Sequence, residues 1–213
     1  MTTRIAIFGS SGHARSVIDV VERQHRYKIV GLIDSFADIG SITLGYRVLG
    51  GEDDLGSVMR EHDISALLIA VGNNYERGNL LARLKDSHGS IRFVKAIHPT
   101  ASISNSAQIG IGTVVMAGAT VGASSQVGEF CIINSNSSID HDCKMMNYSS
   151  IAPGAATDGN CTLGEYSAIG IGVSINQKLS IGQHTVIGSG ATVVRSIAAY
   201  KVAFGTPAVE IRD

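Results

Sequence analysis

From Ile103, steps of six residues reach Ile109, Val115, Val121, Val127, Ile133, Ile139, Met145, Ile151, Thr157, Leu163, Ile169, Ile175, Ile181, Ile187 and Val193, and the frame never slips. Fifteen of the sixteen positions are aliphatic, with Thr157 the single polar break. An α-helix cannot use this period, because successive aliphatics would fall about 240° apart and never form one face. A coil of short strands can. If three hexads make one turn of a triangular prism, each aliphatic points to the axis and successive turns stack about 4.8 Å apart. The residue after each aliphatic is Gly seven times and Asn or Asp four times, read here as backbone freedom at a corner. Four positions after each member of the series the residue is mostly small, and Cys131, Cys143 and Cys161 all fall in that class, as small buried hydrophobes.

The preceding residues have a different character. Residues 1–97 hold 12 Lys or Arg and 11 Asp or Glu, 23 of the chain's 35 charges. β-Branched runs at 4–8, 29–34 and 64–71 alternate with helical patterns at 14–24, 53–62 and 75–87, before a last strand expected at 91–96. Alternating strand and helix predicts a parallel α/β sheet, here a half-sized Rossmann-like module. The expected division is therefore residues 1–97, an α/β module, followed by residues 98–213, a β-helical domain with a C-terminal tail. A formal net charge of −1 offers no general attraction for nucleic acid or anionic lipid. No apolar run approaches 18 residues, the N-terminus lacks a signal-peptide core, and three cysteines suit no disulfide framework, so a soluble cytoplasmic protein is expected. No metal-ligand spacing occurs.

Several segments together resemble one family across essentially the whole chain: GSSGH at 9–13, Ile33–Asp34, AVGNN at 70–74, AIHPTASIS at 96–104, SSIDHDC at 137–143, DGN at 158–160 and GTPA at 205–208. They resemble the hexapeptide-repeat acyltransferases, specifically the NeuD/PglD-type sugar acetyltransferases. That resemblance implies a left-handed parallel β-helix behind the Rossmann-like module, acetyl-CoA as donor, a homotrimer, and as acceptor the 4-amino group of a nucleotide-linked deoxyamino sugar, UDP-linked by preference. O-acetylation of a sialic acid or related sugar is the alternative, and a non-catalytic nucleotide-sugar-binding scaffold the second.

Only eight Lys, Arg, Asp or Glu residues occur in 103–198, yet Asp140, Asp142 and Lys144 crowd around His141. Imidazole has a pKa suited to taking the proton of an attacking amine, so His141 is the candidate general base. A neighbouring carboxylate can orient the ring and stabilise the imidazolium, and the resemblance favours Asp142 for this, although a merely solvated Asp142 is an open alternative. Residues eighteen apart should stack, which sets Gly159 over His141. Its amide could meet the thioester carbonyl, as the family implies, or it could be an ordinary corner glycine. The resemblance further implies that Ile171, Gly172 and Ser189 line the pantetheine groove and that Pro207 closes it, although Ile171 also reads as plain repeat packing. Ser150 stands where some relatives carry a second histidine and is expected to contact the donor or acceptor.

In the first domain, Ser11, Gly12 and His13 lie in a glycine-rich turn between a strand and a helix, a setting that presents N–H groups to a diphosphate. His13 could equally be a solvated loop residue. Asp34, Gly72 and Asn73 lie at the carboxyl ends of strands, where ligands bind open α/β sheets. The resemblance puts Asp34 on the base, and Asn73 reads almost as well as a helix cap.

Overall fold

A computed structural model describes residues 2–211. The chain forms two compact units, Met1–Pro99 and Thr100–Asp213.

In the first unit, β1 (Thr3–Phe8), β2 (Tyr27–Ile33), β4 (Tyr46–Gly50) and β5 (Ala66–Ile69) are parallel, in the order β4-β2-β1-β5, and β3 (Ile42–Thr43) forms an antiparallel hairpin with β4. α1 (Gly12–Gln24), α2 (Leu55–Glu61) and α3 (Asn74–His88) complete it. The expected last strand at 91–96 is absent as such: Phe93 makes only an isolated bridge to Leu67, and pairing resumes at Ala96–Ile97. Ile5, Ile7, Leu32, Ile33, Leu67 and Leu68 are fully buried, as expected for strands covered on both faces. The β3–β4 hairpin is new. Leu44 and Gly45 take positive φ of 47° and 84°, which makes a tight two-residue turn without the usual Asn-Gly pair.

The second unit is a three-sided parallel β-helix. Its first side stacks Ser102–Ile103, Thr120–Val121, Ser138–Ile139, Ala156–Thr157, Ser174–Ile175 and Thr192–Val193. The second stacks Gln108–Ile109, Gln126–Val127, Lys144–Met145, Thr162–Leu163 and Ser180–Ile181. The third stacks Val114–Val115, Ile132–Ile133, Ser150–Ile151, Ala168–Ile169 and Val186–Ile187, and then Val202–Phe204 with an antiparallel return at Val209–Glu210. Paired residues are eighteen apart throughout the repeat, as in Thr120 with Ser138 and Val127 with Met145. From Val115 to Val193 the inward residue of each hexad is buried, as are Ser125, Cys131, Ser137, Cys143, Ser149, Cys161 and Ser167 four residues beyond one. The three cysteines are free thiols.

The corner glycines carry a different role from the one expected. Positive φ occurs three residues after the aliphatic, at Phe130, Asp142, Tyr148, Asn160, Tyr166 and their equivalents, not at the following glycine. Gly122 is required by close approach: a Cβ there would stand 2.7 Å from the Asp140 carbonyl carbon and the His141 nitrogen of the next turn. Gly170 likewise admits Ile187 O, which would lie 2.6 Å from a Cβ. Stacking sterics, not backbone freedom, select glycine there.

The corner between the second and third sides carries a column of rings. Phe130, Tyr148, Tyr166, His184 and Tyr200 stack in sequence, with centroids 5.9, 4.8, 4.7 and 5.0 Å apart and near-parallel planes. Each takes the left-handed conformation, φ 51° to 60°, costly for a residue with a Cβ, and the stacking offsets that cost. Tyr166→Leu keeps bulk but removes two ring contacts. We expect it to lower unfolding stability by about 1–3 kcal/mol, measured by chemical denaturation.

Candidate active site

The corner between the first and second sides gathers the polar residues. Ile139 ends its strand facing the axis, the chain turns at His141 and Asp142, and Cys143 re-enters the interior. The turn closes because Asp142 takes φ 56°, which Asp tolerates, and its N–H donates to Ala123 O of the turn below at 2.9 Å. His141 and Asp142 are both half-exposed. Nδ1 of His141 lies 2.8 Å from Asp142 Oδ2. A carboxylate can only accept, so Nδ1 carries the proton and Nε2 offers its lone pair. The ring's pKa is raised, first by this hydrogen bond and then by the charges of Asp140 and Asp142, which outweigh its slight desolvation. Asp142 therefore bonds the imidazole, while Asp140 accepts the His141 N–H at 2.7 Å.

Gly159 stacks against the imidazole. A Cβ at this position would lie 2.5 Å from His141 Nε2 and 2.6 Å from Cε1, so only glycine admits the ring here. The adjacent Asn160 N–H donates to His141 O at 2.9 Å and locks the two turns together. The Gly159 amide itself donates to Asp158 Oδ1 at 2.7 Å.

Thr157, the polar break in the aliphatic series, serves this corner. Elsewhere the amide after an inward residue donates to the main chain one turn on, as from Gly122 to Ile139 O and from Asp158 to Ile175 O. Asp140 instead donates to the buried Thr157 hydroxyl at 3.2 Å, and Cys143 Sγ lies 3.5 Å from the same oxygen. The hydroxyl fixes the amide that precedes His141, a role that the sequence marked only as an exception to the frame.

The residues expected around the cofactor fall at other positions on the prism. Ile171, Gly172 and Ser189 lie at the corner between the third and first sides, where the Ile171 side chain is largely exposed and Gly190 N–H donates to Ile171 O at 2.8 Å. The tail bearing Pro207 folds against this corner, with Thr192 N–H donating to Gly205 O at 3.0 Å and Ala208 N–H to Thr192 O at 2.8 Å. Ser150 stands on the third side between Ile132 and Ala168. Within one chain, these residues and His141 do not meet at a single edge.

In the first unit, three strand ends converge. Ser11 precedes α1 without a side-chain cap, and Gly12 and His13 open that helix. A Cβ on Gly72 would rest 3.7 Å from the His13 side chain, which places the two loops together. His13 Nε2 is buried without a hydrogen-bond partner, and burial, then the charge of Arg77, push its pKa down to about 4. It is a neutral imidazole, not a solvated loop residue. Asp34 Oδ2 accepts both the amide and the hydroxyl of Ser10, at 2.8 and 2.6 Å, and Oδ1 accepts the Phe36 N–H at 2.9 Å. Its carboxylate thus ties the glycine-rich turn to the loop after β2, a link through Ser10 that sequence reasoning missed. Asn73 Oδ1 caps α3, accepting from Tyr75 and Glu76 at 2.9 and 3.0 Å.

A three-sided β-helix with an imidazole–carboxylate pair on one corner, preceded by a small α/β unit, defines the class of hexapeptide-repeat acyltransferases. The family model for the PglD N-terminal domain matches residues 4–84. Over 100% of this chain and 99% of the other, the structure superposes with a TM-score of 0.93 and 31% identity on a variant of the GDP-perosamine N-acetyl transferase of Caulobacter crescentus, in complex with CoA and GDP-perosamine. The acetyltransferase domain of PglB from Neisseria gonorrhoeae FA1090, in complex with acetyl coenzyme A, matches at 31% identity and a TM-score of 0.89, over 99% of this chain and all of that one. Among curated proteins, the UDP-N-acetylbacillosamine N-acetyltransferase of Bacillus subtilis (strain 168) is 33% identical over 114 residues, 53% of this chain and 51% of that protein. The chain therefore matches about half the length of that curated relative. It belongs to the PglD-type sugar acetyltransferases.

Thr157→Val preserves shape but strands the buried Asp140 amide, at a cost of about 1–3 kcal/mol, whereas Thr157→Ser retains the acceptor. Denaturant midpoints of the pair should separate accordingly. Because Asp142 holds the imidazole pKa up, Asp142→Asn lowers it. The acid limb of a rate profile that needs neutral His141 then moves to lower pH, read from the pH dependence of kcat/KM.

Proposed function

We propose that this chain transfers the acetyl group of acetyl-CoA to the 4-amino group of a nucleotide-linked deoxyamino sugar, by direct attack of the amine on the thioester. The observation that carries this reading is the His141 ring, held by Asp142 through Nδ1 with Nε2 set against Gly159. As the amine nitrogen bonds to the acetyl carbon, Nε2 takes its proton, Asp142 stabilises the resulting imidazolium, and the Gly159 amide donates to the developing oxyanion. Collapse expels CoA as thiolate, which the imidazolium can reprotonate. No protein nucleophile is needed.

Three observations support the partners. Relatives alike over nearly the whole chain are crystallised with CoA or acetyl coenzyme A, and two of them are variants of the Caulobacter enzyme in which a histidine, numbered 141 there as well, is replaced. The uncapped start of α1, with Ser11, Gly12 and a neutral His13, suits a diphosphate, and Asp34, Gly72 and Asn73 shape the loops around it. A uridine nucleotide is the first choice, after the Bacillus relative, and guanosine the competitor, after the Caulobacter one.

The active assembly in this reading is a homotrimer. Ile171, Gly172, Ser189 and Pro207 lie one full side of the prism away from His141. A second copy that sets its pantetheine-binding corner against the first copy's His141 corner completes the site, and closed three-fold symmetry repeats it. Ser150 contributes a hydroxyl from the third side. Among the described residues no helix is long and apolar enough to cross a membrane. Free buried thiols and a CoA donor fit a cytoplasmic enzyme.

Release of free CoA thiol, followed colorimetrically with acetyl-CoA and either a UDP- or a GDP-linked 4-amino sugar, tests the reading. Turnover is expected with the amine, and His141→Ala should lower kcat about 10²–10⁴-fold. Turnover on hydroxyl sugars alone would establish O-acetylation, and binding without turnover a scaffold; either result defeats the proposal.

A further inference from the structure

The amide that the proposed function assigns to the thioester carbonyl is already engaged. Gly159 N–H donates to Asp158 Oδ1 at 2.7 Å, and the same arrangement occurs one turn below, where His141 N–H donates to Asp140 Oδ1 at 2.7 Å. The two sites differ in what surrounds them. Asp140 is half-buried, and its own amide is held by the Thr157 hydroxyl where that of Asp158 is held by Ile175 O. Asp158 is exposed and free to turn outward, and it sits on the turn whose glycine adjoins the catalytic Nε2.

We infer that Asp158 is a positioning residue whose carboxylate gives way to the acetyl oxygen at the Gly159 amide and returns when the acetyl group has left. The inference rests on the proposed function. One N–H cannot serve two acceptors fully, and a carboxylate is the stronger acceptor of the two until charge develops on the thioester oxygen. A neutral carbonyl must therefore work against Asp158 to reach the donor, whereas the oxyanion of the transition state competes on equal terms. The exchange weakens binding of the ground state more than that of the transition state, the difference on which catalysis depends. It also separates donor from product. CoA carries no carbonyl at this point, so the carboxylate re-engages the amide once the acetyl group has gone to the sugar.

Calorimetric titration of the full chain with acetyl-CoA and with CoA, without acceptor, tests this. Asp158→Ala should bind acetyl-CoA about three- to tenfold more tightly with CoA affinity unchanged, and Asp158→Asn, which keeps a neutral acceptor, should fall between. An equal gain for both ligands would mean general relief of negative charge and would overturn the exchange, as would acetyl-CoA binding that is unchanged or weaker. Should a variant not fold, the wild-type Gly159 amide resonance gives the same answer: it should move with acetyl-CoA and not with CoA, and an identical response to both refutes the exchange. Because no acceptor is present, failure here leaves amine turnover to be judged separately, and lack of turnover on amines leaves this exchange intact.

Discussion

Main-chain hydrogen bonds between residues seventeen and nineteen apart, which align residues eighteen apart in one column, are the constraint from which the second unit follows. Each strand of the hexad repeat is only two residues long and could not persist alone, yet every turn is hydrogen-bonded to its neighbours at about 2.7–3.1 Å. This stacking converts sequence separation into height. A residue type repeated at eighteen becomes a column, and a substitution at one position is felt by the residue directly above or below. His141 and Gly159 adjoin for this reason alone, without any side-chain bond that draws them together.

The corners show how one scaffold serves different ends. At the corner between the second and third sides the column is aromatic, and the strain of left-handed tyrosines is offset by ring stacking along much of the coil. At the first corner the equivalent left-handed positions are Ser124, Asp142, Asn160 and Lys178, none of which contributes a ring to a stack. That corner is held from within instead, by Thr157 beneath Asp140 and by Cys143 and Cys161, whose thiols donate to Asp158 O at 3.3 Å and Asn176 O at 3.2 Å. Interior bonds leave the outer face, with the imidazole and its carboxylates, exposed for chemistry.

The period of six was legible because the interior admits one aliphatic per side with mostly small residues beside it, so a single slip would have buried large polar side chains. The reason for the glycines was not legible, since close approach and positive φ select the same residue type. In the first unit the strand ends and the glycine-rich turn could be read from punctuation, but the roles at those ends could not. Asp34 turned inward to Ser10 and Asn73 to the α3 N-terminus, because short polar side chains satisfy nearby amides before they reach a ligand. The β3–β4 hairpin was hidden by Leu44, a residue that no turn preference favours. Ile171, Gly172 and Ser189 stand at a different corner from His141, a separation that counting by six already contains.

The glycine-rich turn of the first unit depends on a similar balance of burial and charge. Arg77 is almost wholly buried on α3, donates to Val71 O and Gly72 O at 2.9 and 3.2 Å, and bonds Asn74 Oδ1 at 2.7 Å. It thereby turns the carbonyl oxygens of the loop after β5 toward itself, and its charge, added to burial, holds His13 neutral. A protonated imidazole at the start of α1 would stand against both Arg77 and the positive end of the helix dipole. A neutral one costs neither and can still offer an N–H. The loop is thus assembled with its carbonyl oxygens held by Arg77 and with no standing repulsion between the His13 ring and the charge beside it.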